Sequence, residues 1–339
     1  MRRQLWLAPF GLFTIFALFA ALGCDEPNDP DLPPSPYRLA AIYDPGSPII
    51  DISTGGDSVA VGVLYKGLEL LNVADPNAIS LVDTIRFPDP GSYCQAVALD
   101  AVNSLVAMSS TDFLDPNLIR DFANDTRVSG FGATGVTDMQ FYSRPDTSDF
   151  WFALSGTDVR ISNSRFVRID SVWSLAGGCS AWAPGLAPTV RMEQVAIRSD
   201  GIVAVAFQSG VHLINSSTCQ DLDTIQTPDQ AYGCAWYGDY LIVAAEYHML
   251  VIDLSDLQNA AIIQRFEIRN ADRLRQVAVD GNFAALLDTN DGIYIVDISN
   301  VTASKLVQTI TLIQPSSVAS SPGRFYFADQ ARGLLIYTR

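Results

Sequence analysis

The sequence has little positive charge for its length and only two histidines. Its 339 residues include 21 Lys and Arg against 37 Asp and Glu, so the formal net charge is -16. A surface this acidic repels phosphate backbones and anionic lipid headgroups. We therefore expect no nucleic-acid partner and no peripheral binding to lipid.

Sequence signatures of catalysis and of metal binding are also scarce. The chain holds no CxxC, HExxH, GxSxG or P-loop motif, and both histidines, His212 and His248, lie in or beside predicted strands. Asp288 to Gly292 is similar to the start of a calcium loop, but the distant Glu of such a loop is missing. Hairpin turns use the same residues, so we expect no metal and no cofactor.

The N-terminus has the pattern of an export signal. Arg2 and Arg3 precede a nearly continuous apolar run, residues 5–22, which ends in small residues before Cys24. The stretch Ala21 to Cys24 resembles the lipobox of bacterial lipoproteins, in which the cysteine thiol is acylated and becomes the new N-terminus. The resemblance implies lipidation of Cys24 and a place in the bacterial cell envelope, facing the periplasm or the cell exterior. An uncleaved transmembrane anchor is the alternative.

Residues after Cys24 predict a tether. Segment 25–36 is rich in aspartate and proline, which keep a chain extended and cannot form a core. We predict a signal peptide at 1–23, a tether at 24–36 and one folded domain at 37–339.

The domain repeats a unit of four short strands. Each unit is rich in Val and Ile and is bounded by Gly, Asp and Asn, which favours strands joined by hairpins. The predicted first strands are centred near seven residues: Ile50, Val97, Met139, Val195, Cys234, Val277 and Val318. A four-stranded repeat of roughly 40 to 45 residues is typical of a β-propeller blade.

The third strands carry a resemblance to a known family. Segments Ile293–Asp297 and Leu250–Asp253 resemble the signature strand of the LVIVD-repeat β-propeller lipoproteins of bacterial cell surfaces. The resemblance implies an all-β propeller, and we predict seven four-stranded blades, with six as the rival count. In two units the signature is weak, at 117–121 and 158–162.

Both ends of the chain predict how the ring closes. The last unit stops after its third strand, and residues 37–43 have the pattern of an outer strand. We predict that this N-terminal strand joins the C-terminal blade, which removes an exposed sheet edge.

Four cysteines remain after Cys24, in a compartment that permits disulfides. Cys94 and Cys234 lie in first strands on opposite sides of the predicted ring, beyond disulfide reach. Cys179 and Cys219 lie in neighbouring units and form the best candidate disulfide. The alternative is four buried thiols that behave as small hydrophobes.

Three aromatic residues are candidates for ligand contact. Trp182 lies in a Gly- and Pro-rich insert, which favours an exposed recognition loop, and Trp236 and Tyr237 end a first strand at a channel mouth. Packing of the Trp182 ring against the propeller edge, and of Trp236 between blades, are the alternatives.

The sequence favours a non-enzymatic, monomeric envelope protein that binds a protein or glycan. A propeller enzyme, of the lactonase or quinone-dependent dehydrogenase type, and an envelope assembly factor are the alternatives. Catalysis in the channel would need acids and bases on the first strands, and glutamine is a poor one. We expect these polar first-strand residues to face channel water: Asp51, Gln95, Asp138, Gln140, Gln194 and Gln276.

Overall fold

A computed structural model describes the folded body of the chain. It covers residues 35–87, 92–111, 117–130, 136–143, 149–156, 160–169, 172–182, 192–216, 218 and 220–339. Cys24, the predicted tether before Ser35 and Cys219 lie outside these residues. Among the described residues, no helix has the length and hydropathy required to cross a bilayer.

Twenty-eight strands form seven antiparallel four-stranded sheets, the higher of the two predicted counts. Blade one contains β2 (Ile49–Gly55), β3 (Ser58–Val63), β4 (Gly67–Asn72) and β5 (Ser80–Arg86). Blade two contains β6 (Cys94–Asp100), β7 (Leu105–Ser110), β8 (Asn117–Asp121) and β9 (Thr126–Gly130). Blade three contains β10 (Val136–Ser143), β11 (Asp149–Gly156), β12 (Arg160–Ile169) and β13 (Val172–Trp182).

The remaining blades follow the same order, from the inner to the outer strand. Blade four contains β14 (Met192–Ile197), β15 (Ile202–Phe207), β16 (Gly210–Asn215) and β17 (Gln220–Gln226). Blade five contains β18 (Ala231–Tyr237), β19 (Tyr240–Ala245), β20 (His248–Asp253) and β21 (Ala261–Glu267). Blade six contains β22 (Leu274–Asp280), β23 (Phe283–Asp288), β24 (Gly292–Asp297) and β25 (Lys305–Thr311). Blade seven contains β26 (Pro315–Ser321), β27 (Arg324–Asp329), β28 (Gly333–Thr338) and, as its outer strand, β1 (Arg38–Tyr43).

The ring closes as the sequence predicts. β1 pairs antiparallel with β28, from Arg38 opposite Thr338 to Tyr43 opposite Leu334. The inner strands contact one another in chain order, and β26 contacts β2. The predicted β-propeller, closed by a strand from the other end of the chain, is therefore confirmed.

Apolar side chains fill the seams between neighbouring blades. Ile49, Val61 and Leu71 of blade one pack on Tyr326 and Ile336 of blade seven, for example. Similar clusters fill the other seams for which side chains are described. Where the structure describes side chains on both sides of a blade, both faces are buried against the neighbouring blades, which explains why the middle strands read as continuous apolar runs.

Glycine opens the third strand of several blades because the backbone there approaches the outer strand closely. Gly67 has φ +109°, and a Cβ on it would lie 2.0 Å from the Ile85 carbonyl oxygen. Gly292 has φ +120°, with 2.1 Å to the Ile310 carbonyl oxygen. Only glycine fits these positions without a shift of the outer strand.

The aspartate that ends the signature strand shapes the next turn. Asp253 Oδ1 accepts from the Ser255 amide at 2.9 Å, and Asp297 Oδ1 accepts from the Ser299 amide at 2.8 Å. Asn72 and Asn215 occupy the same place in blades one and four and also accept from backbone amides of the following turn. The signature thus encodes a strand and its turn, not an active site.

Candidate functional site: the central channel and its two faces

Every inner strand carries a β-bulge near its start. The register between the first and second strand shifts in all seven blades, at Ile49/Asp51 in blade one and Leu274/Gln276 in blade six, for example. A β-bulge inserts an extra residue into one strand, and this residue interrupts the regular alternation of side chains between the two faces of the sheet. Residues at these shifts therefore surround one end of the channel.

The channel contains two cavities. We call the face on which the first strands begin the upper face, and the opposite one the lower face. The upper cavity, about 280 Å³, is lined by bulge residues, among them Gln95, Tyr232 and Arg275. The lower cavity, about 270 Å³, is lined by the middle and end of the inner strands, including Trp236.

The two aspartates predicted to face the channel line its cavities and also bind neighbouring strands. Asp51 Oδ2 accepts from the Val97 amide of blade two at 2.9 Å, and its Oδ1 accepts from the Ser317 hydroxyl of blade seven at 2.7 Å. Asp138 Oδ2 accepts from the Val195 amide of blade four at 2.8 Å. These carboxylates connect blades.

The glutamines act in the same way. Gln140 Oε1 accepts from the Ile197 amide at 2.7 Å, and Gln276 Oε1 accepts from the Val318 amide at 3.0 Å. Gln95 is the exception, because its buried Oε1 has no hydrogen-bond partner. All six members of the set line the channel cavities, as expected. Five of them also accept hydrogen bonds from backbone amides of other blades, which the sequence did not predict.

Gln194 connects three blades through one amide group. Its Oε1 accepts from the Cys234 amide at 3.1 Å and the Val277 amide at 3.2 Å, and its Nε2 donates to the Val277 carbonyl at 3.2 Å. The side chain passes over Gly233, where a Cβ would lie 2.7 Å from Gln194 Oε1 and 2.8 Å from the Arg275 carbonyl oxygen. A glycine on blade five thus gives Gln194 access to blade six.

The two channel aspartates have raised pKa values. Burial raises the pKa of Asp51 to about 6, against the hydrogen bonds from Val97 and Ser317 that lower it. Burial and the nearby Asp51 charge hold the pKa of Asp138 well above its usual range. Raised carboxyl pKa values also occur in active sites. In this channel, however, both carboxyl oxygens of Asp51 and both of Asp138 accept hydrogen bonds from the protein.

Both cysteines of the inner strands are buried free thiols, as their predicted separation requires. Burial raises the pKa of each thiol, and the Asp51 charge acts further on Cys94 and the Asp138 charge on Cys234. Cys179 lies inside β13, the outer strand of blade three, opposite Asn163. Because Cys219 lies outside the described residues, the Cys179–Cys219 disulfide stays a prediction.

The candidate aromatic residues fall in three different settings. Trp236 is half-buried, donates from Nε1 to the Ala196 carbonyl at 3.2 Å and lies under the Arg198 guanidinium at 4.7 Å. Its ring joins blades four and five, as the packing alternative predicts. Tyr237 donates to Asn282 Oδ1 at 2.9 Å on the lower face.

Trp182 does not lie in a loop, which corrects the sequence prediction. It ends β13 and pairs with Arg160 of β12. The long β12–β13 hairpin extends the sheet through Gly177 and Gly178, which looked like loop residues, and a register shift between Arg165 and Phe166 accommodates them. The Trp182 side chain lies outside the described part of the chain.

The polar residues outside the channel serve the fold as well. Asp288 is fully buried, and its two oxygens accept from the amides of Asn290, Asp272 and Arg273 at 2.7 to 3.0 Å. It therefore holds the hairpin turn that the sequence favours at this place. His212 is buried between Thr224 and Asp221, and His248 bonds Asp229 in a cluster with Arg265.

Two further observations bear on cofactors and metals. Within the described ranges, no three His, Cys, Asp or Glu side chains lie close enough to hold a metal. Residues 130–135 spell G-F-G-A-T-G, with the spacing of a dinucleotide-binding loop. Gly130 ends β9, and the next described element is the strand β10, which begins at Val136, whereas that loop joins a strand to a helix.

Comparison with known protein families identifies the repeat. The LVIVD repeat model matches residues 230–267 and 273–311, which are blades five and six. This chain contains LVIVD repeats. Comparison with curated protein sequences finds no match.

Two solved structures have the same propeller fold as this chain. The β-propeller domain of Cps50 (Swd1) from Myceliophteria thermophila superposes with a TM-score of 0.69 at 13% identity, over 89% of this chain and 99% of that one. The WD40 β-propeller domain of Doa1 superposes with a TM-score of 0.63 at 12% identity, over 89% and 97%. At such identities the likeness shows the propeller fold alone.

Proposed function

We propose that this LVIVD-repeat propeller is a non-enzymatic scaffold of the bacterial cell envelope, held at a membrane by lipid on Cys24. Its upper face binds a protein or glycan ligand. The use of the channel polar groups supports this proposal: five of the six candidate acids, bases and amides hold blades together. What the chain offers to a ligand is therefore its surface.

The distribution of exposed apolar groups favours the upper face. Turns between second and third strands, and the connections into first strands, open on that face. They carry Tyr65, Tyr93, Tyr247 and Ile313, whose exposure ranges from 41% to 65%. On the lower face of the described chain, Val102 is the one large apolar side chain of this kind, at 83%. Exposed tyrosines are common at binding surfaces because they combine apolar area with a hydroxyl group.

Photo-crosslinking in intact cells tests this proposal. A photoreactive phenylalanine at Tyr65 or Tyr247 should give adducts with an envelope protein or glycan, and the same probe at Val102 should give none. Adducts at Val102 alone, or adducts at none of the three positions, would contradict a ligand on the upper face.

The lipid anchor has its own test. Cys24→Ser should release the protein from the membrane fraction and remove the lipid mass from its N-terminus. A variant that stays in the membrane fraction would instead support the uncleaved transmembrane anchor.

A further inference from the structure

Exposed apolar side chains on the rim of the propeller are concentrated on two outer strands. β1 carries Leu39 and Ile42, at 46% and 50% exposure, and β5 carries Leu81 and Val82, at 52% and 54%. On the other outer strands with described side chains, Ile262 of β21 is the single further case, at 37%. The rim of the described chain is thus polar except around β1 and β5.

These two strands are neighbours. β1 is the outer strand of blade seven and β5 that of blade one, and the two blades share a seam. β1 also contacts the short 3-10 helix Pro76–Ala78, which leads directly into β5. Leu39 and Ile42 lie opposite Tyr337 and Leu335, on the side of blade seven that faces blade six, and Leu81 lies opposite Leu71, on the side of blade one that faces blade seven. The four side chains Leu39, Ile42, Leu81 and Val82 therefore flank the outer edge of blade seven, and we call them the rim patch.

The chain that leads to Cys24 leaves the body at this rim. Tyr37, next to β1, is 1% exposed, and its backbone exchanges two hydrogen bonds with the Gln308 side chain, at 3.3 and 3.0 Å. An extended chain covers about 3.3–3.6 Å per residue, so segment 25–36 spans roughly 40 Å at most. A lipid on Cys24 therefore limits the distance between the rim patch and the bilayer surface to roughly 40 Å.

The rim around β1 and β5 differs in charge from the rim on the opposite side of the ring. β1 carries one charged residue, the exposed Arg38, and β5 carries Asp83 and the exposed Arg86, so the two strands together have a net positive charge. On β17 of blade four, across the ring, Asp221 and Asp223 are exposed. An anionic bilayer surface repels the β17 rim and accepts the β1 rim.

We propose that the rim patch rests on the bilayer that holds the Cys24 lipid, so that the propeller disc stands edge-on. The upper face, to which we assign ligand binding, then stays open. This inference depends on the proposed lipid anchor. The net charge disfavours membrane binding of a free propeller, but a short tether raises the local concentration of the surface to the millimolar range. At that concentration a few half-exposed apolar side chains are enough to set an orientation.

Depth-dependent quenching tests the orientation. The lipidated full-length protein is placed on vesicles of phosphatidylcholine and phosphatidylglycerol that contain brominated lipid. A genetically encoded fluorescent residue replaces Leu39 or Leu81 in the rim patch, or Ile262 or Tyr247 as controls on blade five. Quenching at Leu39 and Leu81 should exceed quenching at both controls severalfold.

A matched pair of variants separates the rim patch from the tether. Leu81→Asp should reduce the quenching of a probe at Ile42 at least twofold, whereas Ile262→Asp should leave it unchanged. Both positions are exposed, so the urea midpoints of the two variants should match that of the wild type.

The outcomes distinguish the two proposals. If mass spectrometry finds no lipid on Cys24, the anchor fails and the orientation fails with it. If the lipid is present but all four probes are quenched equally, the edge-on orientation alone is wrong. Photo-crosslinking of Leu39 to another protein in cells, in place of lipid, would overturn the bilayer as the occupant of the rim patch.

Discussion

The Tyr37 hydroxyl donates a hydrogen bond to Asp280 Oδ2 at 2.5 Å, across 243 residues of sequence. This contact joins the start of the folded body to the inner strand of blade six. The Tyr37 ring packs edge-on against Phe283 at 5.6 Å and lies 4.7 Å from Phe325. Asp280 Oδ1 also accepts from the Gly323 amide at 3.0 Å. One tyrosine thus fixes the N-terminal segment in the seam between blades six and seven.

Tyr37→Phe should lower the free energy of unfolding by about 1.5 to 3 kcal/mol, since it removes a buried hydrogen bond to a carboxylate but keeps the ring. Urea unfolding measures the change. Tyr65→Phe is the control, because Tyr65 is 63% exposed and should change stability by no more than about 0.5 kcal/mol. Equal values for the two variants would show that the Tyr37–Asp280 contact does not stabilise the ring.

Gln194→Met should lower stability by about 2 kcal/mol. Methionine fills a similar volume but leaves the amides of Cys234 and Val277 without their acceptor. Gln330→Met, at an exposed position of the upper face, is the matched control and should stay within about 0.5 kcal/mol of the wild type. A Gln194→Met variant as stable as its control would mean that channel water replaces these bonds.

The roles of Gln194 and Gly233 mark the limit of sequence analysis for this fold. The strand repeat, the inner-strand centres and the closing strand could be predicted because periodicity and turn residues are local signals. The contacts between blades could not, since they depend on which side chain meets which amide after seven bulges set the register. Nothing in the sequence around Gly233 distinguishes it from other glycines in strands. Its role becomes evident only in the folded protein, where the Gln194 side chain passes over it.

Trp182 shows the same limit. Its Gly- and Pro-rich neighbours predict a loop, but Arg160 of the preceding strand pairs with Trp182 and extends the sheet to it. Asp288 ends β23 at the hairpin turn that the sequence favours over a calcium loop, and the amides of Asp272 and Arg273 use one of its oxygens.

The pKa of Asp51 predicts how stability depends on pH. Its folded pKa is about 6, above the ordinary value of 3.8, so the native state keeps the proton longer than the unfolded chain. This group therefore makes stability fall as the pH rises from about 4 to about 6.

Asp51→Asn should remove this contribution, because the amide oxygen can still accept from Val97 and carries no charge. The stability difference between variant and wild type should be small near pH 4 and reach its maximum above pH 6. Asp200→Asn is the control, and its effect on the pH dependence of stability should have the opposite sign. Hydrogen bonds and the charge of Arg198 lower the pKa of Asp200, against the effect of its partial burial. The same pH slope for both variants would contradict a raised pKa of the buried Asp51.

The cysteines should divide into two classes. Cys94 and Cys234 are buried with raised thiol pKa values, so iodoacetamide should modify them only after denaturation. Cys179 and Cys219 should become reactive only after reduction, with a gain of two protons in the intact mass. Alkylation of these two cysteines without reductant would exclude the disulfide.

Closure of the seven-sheet ring is the central claim, and truncation tests it most directly. Deletion of Arg324–Arg339 removes β27 and β28 and leaves β1 without a partner strand. The variant should lose its single cooperative thermal transition, whereas deletion of residues 25–34 in the predicted tether should preserve it. A truncated protein that melts in one transition at the wild-type temperature would contradict the ring.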